Sequence, residues 1–549
     1  MKAALQSIIL DHLQRLGIAA EASFAVDHPK AAEHGDFSCN VAMVLAKGLK
    51  VAPRDLAQKL VQSLQSETEY FAKVEVAGPG FINFFLKPQA YQRALAGLWK
   101  DAQALNPVDI GHGQKVLIEF VSANPTGPMH VGHGRNAVVG DSLARLLAAT
   151  GFAVTREFYI NDHGVQIKTL GMSGAHYHSV LMKVHGYDVA LPEDMYRGAY
   201  LEELVDRMAD KIAPLKENPM AIGKLLGVEL LTVIKEELGR LNVVFDHYFS
   251  ESSLYQNGEI DAALKLLKQK GLTYEQEGAL WFKTTDFGDD KDRVLIKTDN
   301  SYTYMTPDIA YHKNKFERDF DLYLNVMGAD HGGYVQRMKA AVAALGYNPD
   351  QLKFLLMQLV NLKRGNETVS MSKRTGDYVT LHEVIDEVGK DAARFFFMMR
   401  SHNAALDFDL ELAKQKSSDN PVFYIQYAHA RIASILRFAE SEGLYSSAPS
   451  SEAETIDFSL LVQPEEIGLV KLLMEFPDVV ESSCFSYEPQ RITTYLHDLA
   501  TAFHKFYHEH RVVTPDRSLS VARLALCSAT RTVLANGCKI LGISAPERM

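Results

Sequence analysis

Two histidines three residues apart, His130 and His133, bracket Gly132 in the segment SANPTGPMHVGHGR at residues 122–135. A hydrophobic run precedes the segment and a helical pattern follows it. A loop between a buried strand and a helix N-terminus collects backbone N–H groups and the positive end of the helix dipole, so it suits a phosphate. Two imidazoles in the first helical turn can donate hydrogen bonds to a phosphoryl centre whose charge grows in the transition state. The same spacing also occurs in surface pairs and half-built metal sites. No third ligand stands nearby, so no metal is expected. A second segment, VSMSKRTG at 369–376, carries Lys373 and Arg374 and follows Lys363, Arg364 and Gly365. Cations on a mobile loop can close on the terminal phosphates of a nucleotide and stabilise a departing pyrophosphate. Alone, such a cluster is as readily a solvated loop.

Weaker candidates surround these two. Glu119 lies near the exit of the strand before the histidines, and Asp308 lies in a Pro-marked turn. Either would be costly in a core without a cationic partner. GADHGG at 328–333 ends another apolar run, so Asp330 and His331 are expected at the same sheet edge. Asp162 and Gln166 follow the second strand and are expected to line the cleft, whereas Gln336 lies too far along a helix to be chosen. His176 and His178 read as a surface pair.

Positioning these groups requires a sheet. Residues 115–121 read as a buried strand. A helix follows to about residue 150, with Val139, Leu143, Leu146 and Leu147 on one face and Gly151 as its stop. Residues 152–158 form the next strand, completing a β-loop-α-β unit of the doubly wound kind. The alternation breaks from about 164 to 298, where helical stretches (194–211, 220–241) precede a β-rich piece at 278–297. This region is expected to be an insertion between two halves of one parallel sheet. The second half resumes at 321–328 and continues through a helix at 334–345 and a segment at 352–360. Both loops then sit at C-terminal ends of strands, where an open α/β sheet binds ligands.

Residues 1–107 read as a small α+β unit, with helices over 2–16, 36–47 and 55–64 and β-rich runs at 73–76 and 80–86. A linker is expected at 106–114. From about 420 the chain reads as all-helical (425–438, 460–476, 488–510, 518–541), with a loop at 440–455. A length of 549 residues fits about three to five domains. Hydrophobic residues at 47% and charged residues at 23% argue against extensive disorder. No apolar run reaches the roughly 18–20 residues of a membrane helix, and the N-terminus makes a poor signal peptide. Four scattered cysteines argue against a disulfide framework, so a cytoplasmic protein is expected. A net charge of −11 argues against a general nucleic-acid coat. Residues 491–549 nevertheless carry eight Lys or Arg against four Asp or Glu, a local +4 that can meet a polyanion.

In combination the two loops resemble the HIGH and KMSKS signatures of class I aminoacyl-tRNA synthetases, written here HVGH and SMSKR. Ser370 replaces the first lysine and Arg374 the final serine, while the central Met-Ser-Lys is intact. Within that class, EFVSANPTGPMHVGHGR (119–135), YINDHGVQ (159–166), TPDIAY (306–311), the stretch 391–432 with its YIQYAHARI, and HGDFSCNVA (34–42) resemble the bacterial arginyl-tRNA synthetases. The resemblance spans essentially the whole chain. It implies a Rossmann-like parallel-sheet catalytic domain over 108–419, with its insertion at about 164–298 and its lysine loop at 369–376. It implies an N-terminal α+β domain at 1–107 that meets the tRNA elbow, and an all-α anticodon-binding domain at 420–549. The implied reaction is ATP-dependent activation of L-arginine and transfer to the terminal adenosine of tRNA(Arg). ATP enters as a substrate with Mg2+, no tightly bound cofactor is implied, and the implied state is a monomer that needs bound tRNA before activation. His130, His133 and Lys373 are the implied catalytic residues. Gly132, Met371, Ser372 and Arg374 join them around ATP. Glu119, Ser122, Ala123, Asn124, His133, Tyr304 and Asp308 are implied around arginine, with Asp330 and His331 beside them. A planar guanidinium is best met by a carboxylate that accepts two parallel N–H bonds, which suits Asp308 and Glu119. A class I synthetase for another amino acid, or a non-catalytic tRNA-binding relative, stays open at this point.

Overall fold

The computed structural model describes the whole chain except residues 20–22, 30, 101–104, 183–193, 366, 370–378 and 445–455. Five parallel strands form its central sheet. In spatial order they are Leu352–Met357, Leu322–Gly328, Lys115–Glu119, Ala153–Ile160 and His247–Ser250. The chain enters at the middle strand and winds outward on both sides. Strand order therefore reverses beside Lys115–Glu119. Connections leave on opposite faces there and open a crevice at the C-terminal strand ends. Val116, Leu117 and Ile118 are buried because the middle strand is covered on both faces.

The helix Val131–Ala149 follows this strand, and nearly all of it from Gly134 to Leu147 is buried. It approaches the sheet closely at Gly140, where a Cβ would lie 2.4 Å from the Phe120 ring. Arg135, at the start of its second turn, is buried, and among the described residues no carboxylate pairs with it. Its guanidinium donates to the carbonyls of Gln358, Ala404 and Ser401, each at 2.9 Å, and to that of Arg400 at 3.4 Å. Burial lowers its pKa to about 10. Replacing Arg135 by Met would leave these carbonyls unpaired, which costs about 3 kcal/mol or more. We expect Arg135→Met to lower the thermal midpoint measurably, and an unchanged midpoint would contradict this bonding. Arg394 fastens the same helix to its surroundings. It pairs with Asp141 at 2.7 Å and donates to the carbonyls of Leu541 and Leu241 at 2.8 Å.

The expected insertion is not one piece. Strand His247–Ser250 returns to the central sheet beside Ala153–Ile160. Its four residues, HYFS, are too short and too polar to show a strand period. Before it stand the helices Gly164–Leu181, Ala199–Arg207 and Pro219–Arg240, and after it a three-stranded antiparallel sheet of Thr273–Gln276, Ala279–Phe282 and Arg293–Ile296. A further small sheet is formed by Glu367–Thr368, Val360–Arg364 and Leu406–Asp409, the first two strands preceding the lysine loop region.

The N-terminal unit is a four-stranded antiparallel sheet, in the order Val26–Asp27, Phe37–Cys39, Phe81–Leu86 and Phe71–Ala77. Helices Lys2–Arg15, Val41–Leu49 and Pro53–Leu64 accompany it. The helix expected over 36–47 thus begins as a strand, because Phe37 and Cys39 alternate inward with Ser38 between them. Helices Pro421–Ser441, Pro464–Ser486, Gln490–Glu509 and Arg517–Leu541 form the C-terminal bundle. Lys471 of the bundle pairs with Asp36 of the N-terminal unit at 2.6 Å. Among the described residues no helix is long and apolar enough to cross a membrane.

Candidate active site

The imidazoles of His130 and His133 stack, with centroids 3.8 Å apart and planes 18° from parallel. His130 Nδ1 accepts from the Gly132 N–H at 3.1 Å, and His133 Nδ1 accepts from the His130 N–H at 3.4 Å. A neutral imidazole carries one proton. With both Nδ1 atoms accepting, both protons sit on Nε2. Gly132 is required by this fold-back, since a Cβ there would lie 2.9 Å from His130 Cε1.

The loop is held from two sides. The Met129 carbonyl accepts from Leu381 N–H at 2.9 Å, and His130 pairs antiparallel with Thr380. The Met129 N–H donates to Glu237, whose carboxyl is pushed up to about 7 by burial. Thr380 caps the helix Leu381–Val388 in a reciprocal pair with Glu383. The chain leaving the lysine loop is therefore pinned against the histidine loop. Met371, Ser372, Lys373 and Arg374, like Ser370, lie outside the described residues.

Two consecutive left-handed residues, Val121 at φ +66° and Ser122 at φ +40°, end the middle strand. A β-branched residue rarely adopts this conformation, and such strain costs of order 1–3 kcal/mol per residue. Asn136 holds it. Its Oδ1 accepts from Val121 N–H at 2.7 Å while its Nδ2 donates to the Val326 carbonyl of the next strand at 3.1 Å. The bend brings Ser122 Oγ to Glu119 Oε1 at 3.1 Å and under the Tyr159 N–H at 3.1 Å. Asn136 was not among the expected site residues, because a helical Asn carries no motif of its own.

Glu119 is not free. Its Oε2 is in close contact with the ammonium of Lys315, which is fully buried and also donates to Asn325 Oδ1 at 2.9 Å. The Tyr311 hydroxyl lies 3.2 Å from the same oxygen and 2.7 Å from Glu157. Burial would raise the Glu157 carboxyl, but bidentate Arg318 and nearby Lys315 outweigh it and hold it at about 2. Asp308 differs. Burial and then the charge of Glu119 push it up to about 7, with the Tyr334 hydroxyl bond and Lys315 acting the other way. Glu251, the first residue after strand His247–Ser250, is pushed up to about 8 by burial and then by Asp308 and Asp162. Glu119, Asp162, Glu251 and Asp308 thus share one electrostatic field at the strand ends. Such a pocket favours a bound cation. Glu251 and Tyr334 went unselected in the sequence: Glu251 carries no turn mark, and Tyr334, just after Gly332-Gly333, reads as an ordinary helical residue.

The remaining expected residues are scattered around this pair of features. Ala123 is buried and Asn124 exposed on the loop between them. Tyr304 is the N-cap of helix Met305–Glu317 and is 77% exposed, a turn before Asp308. Asp330 and His331 form a short turn after strand Leu322–Gly328 and lie open to solvent, 3.8 Å from one another. Asp162 accepts from Ser252 N–H at 2.8 Å and from Ser250 Oγ, so it fixes the start of the Glu251 helix. Gln166 is exposed, and Gln336 donates to the Gly288 carbonyl. His178, expected on the surface, is buried in helix Gly164–Leu181.

Switch-point crevice, stacked histidine pair and helical C-terminal bundle together define a class I tRNA synthetase. The family model for the class I (R) catalytic domain matches residues 97–428, that for the arginyl-tRNA synthetase N-terminal domain residues 3–86, and that for the DALR anticodon-binding domain residues 425–549. The chain belongs to the arginyl-tRNA synthetase family. It is 47% identical over 527 residues to the arginine–tRNA ligase of Syntrophotalea carbinolica, covering 95% of this chain and 94% of that one. It is 44% identical to arginine–tRNA ligase 1 of Halalkalibacterium halodurans, covering 100% and 99%. The solved arginyl-tRNA synthetase of Thermus thermophilus shares the fold over both full lengths, with a TM-score of 0.76 at 24% identity.

Proposed function

We propose that this arginine–tRNA ligase binds the guanidinium of its substrate between Asp308 and Glu251 and its α-phosphate chemistry at His130 and His133. The observation that carries this reading is the cluster of carboxylates at the strand ends, in which Asp308 and Glu251 are pushed up by burial and by neighbouring carboxylates. In the first step a carboxylate oxygen of arginine attacks the α-phosphorus of ATP, which enters with its Mg2+. The bond to the bridging oxygen breaks, and pyrophosphate leaves with that electron pair. His130 and His133 donate from Nε2 to the charge that grows on the α-phosphate. Lys373 and Arg374, with Met371 and Ser372, are assigned by motif to the departing phosphates. Ser122 and Asn124 face the amino and carboxylate ends, and Tyr304 has the freedom to fold over the pocket. In the second step a terminal ribose hydroxyl of tRNA(Arg) attacks the arginyl carbonyl and releases AMP.

The C-terminal bundle supplies the docking face for the anticodon. A groove of about 1050 Å³ is lined by Tyr427, Arg431, Arg437, Tyr507, Arg511 and Arg548, among others. Arg431 lies 4.5 Å and 4.9 Å from the ring centres of Tyr427 and Tyr507. Unstacked bases are held by such aromatic and guanidinium planes. The N-terminal unit is assigned to the tRNA elbow, and the enzyme is read as a cytoplasmic monomer.

The pH dependence of arginine binding tests the pocket. Asp308 and Glu251 are raised when the pocket is empty, and a bound guanidinium favours their charged forms. Binding therefore releases protons and is weak where both acids are protonated. The KM for arginine should fall by about tenfold or more between pH 6 and 8.5, with the KM for ATP changing much less. A flat arginine profile over that range would contradict the assignment.

A further inference from the structure

The run HGDFSCNVA at 34–42 marks the N-terminal unit in the sequence, yet neither step of the reaction uses it. Its Asp36 stands where three parts of the chain meet. The Asp36 N–H donates to the Phe84 carbonyl at 2.8 Å, and its Oδ2 accepts from the Leu86 N–H at 2.7 Å, so the residue is built into the N-terminal sheet. Gly35 permits the bend, since its φ is +90° and a Cβ there would lie 2.6 Å from the Phe84 carbonyl oxygen. Asp36 Oδ1 points away from the sheet and pairs with Lys471 of bundle helix Pro464–Ser486 at 2.6 Å. The hydroxyl of buried Tyr91, on the helix Pro88–Lys100 that follows the sheet, bonds the same carboxylate. The Lys471 ammonium lies 5.0 Å from the centre of the Tyr91 ring. That helix is itself fixed to the bundle by Gln92, whose Nε2 donates to the Leu461 and Ser459 carbonyls at 2.8 and 3.2 Å. Beside Asp36 the surfaces part around a cavity of about 340 Å³ lined by His28, Tyr91, Lys471 and Glu475, among others. Polar ties therefore fix the angle of the N-terminal unit here, with Lys2 and Asp478 at 3.4 Å as a second one.

Resting on the assignment of the N-terminal unit to the tRNA elbow and of the bundle to the anticodon, we propose that Asp36 is a positioning residue for tRNA. It holds the two tRNA-contacting units at one angle, so that a rigid L-shaped RNA meets both at once. A second contact gains from becoming intramolecular only where the geometry permits simultaneous engagement. A partly exposed ion pair adds little stability by itself. Loosening this joint therefore leaves both units folded and costs affinity only for an RNA that spans them.

The test has a sign that charge alone does not give. Asp36→Asn removes an acid from an acidic chain, which by charge alone favours a polyanion. The joint predicts the opposite. The KM for tRNA(Arg) should rise about tenfold, part of the gain that a fixed geometry brings to two linked contacts, with kcat at saturating tRNA within about twofold. Lys471→Met, which alters no residue of the N-terminal unit, should do the same. Lys471→Arg keeps the charge and should stay within about twofold of the wild type. Thermal unfolding checks that each variant folds. The comparison RNA joins the acceptor and anticodon arms directly, without the D and T loops that form the elbow. The wild-type enzyme should bind it about tenfold more weakly than tRNA(Arg), whereas D36N and K471M should bind the two RNAs nearly alike. If the wild type binds both RNAs equally, the elbow assignment falls and the proposal with it. If the wild type separates them and D36N and K471M separate them just as well, the elbow assignment stands, but Asp36 does not position the unit and the proposal is overturned.

Discussion

Asp308→Asn should raise the KM for arginine on the order of a hundredfold while leaving the KM for ATP within about threefold. Truncating one partner of a desolvated charge pair typically costs 2–5 kcal/mol, and asparagine can offer a guanidinium only one acceptor oxygen. The replacement is nearly isosteric and keeps an acceptor for the Tyr334 hydroxyl that bonds Asp308, so folding should survive it. Citrulline and lysine should be activated far more poorly than arginine by the wild-type enzyme. Citrulline presents a carbonyl to the acids, and lysine cannot reproduce the planar fork. Steady-state kinetics with the three amino acids checks both statements. An unchanged arginine KM in the variant, or citrulline competing as well as arginine, would show that the pocket is misassigned.

His133→Ala should lower adenylate formation by about two to three orders of magnitude, the scale of losing one preorganised donor at a developing oxyanion. The loss should fall on kcat, as expected of a donor whose partner charge appears only during the reaction. Lys373→Ala should lose activity on the same scale with less change in arginine affinity. Arginine-dependent exchange of pyrophosphate into ATP, in the presence of tRNA, measures the step directly. Near-normal exchange in Lys373→Ala would show that the wrong loop was chosen for the pyrophosphate.

The parts of this site that were legible in the sequence are those carried by local signals. His130, Gly132 and His133 could be read because strand, Gly/Pro loop and helix follow one another within a few tens of residues. The parallel sheet could be read from runs such as 322–328, whose hydrophobicity, broken by Asn325, marks a strand covered on both faces. What escaped depends on partners distant in the chain. Lys315 meets Glu119 across 196 residues, and Arg318 meets Glu157 across 161. From the sequence alone a helical lysine is a solvated one. Glu251 became visible only when HYFS was seen to join the sheet, since that places the following residue at the ligand edge. Asn136 gains its role from a strained bend at Val121 that no propensity predicts. Glu119 was read as a carboxylate in need of a cation, and the fold brings Lys315 of its own chain to it.

Charging assays with purified tRNA, ATP and each amino acid in turn test the central claim most directly, with pyrophosphate exchange followed in the presence and absence of tRNA. The account predicts that arginine alone is attached, to tRNA(Arg), and that exchange is slight until tRNA is added. Full exchange from ATP and arginine alone would remove the tRNA dependence and leave the ligase standing. Attachment of a different amino acid, or no attachment of arginine by a folded protein, would contradict the account.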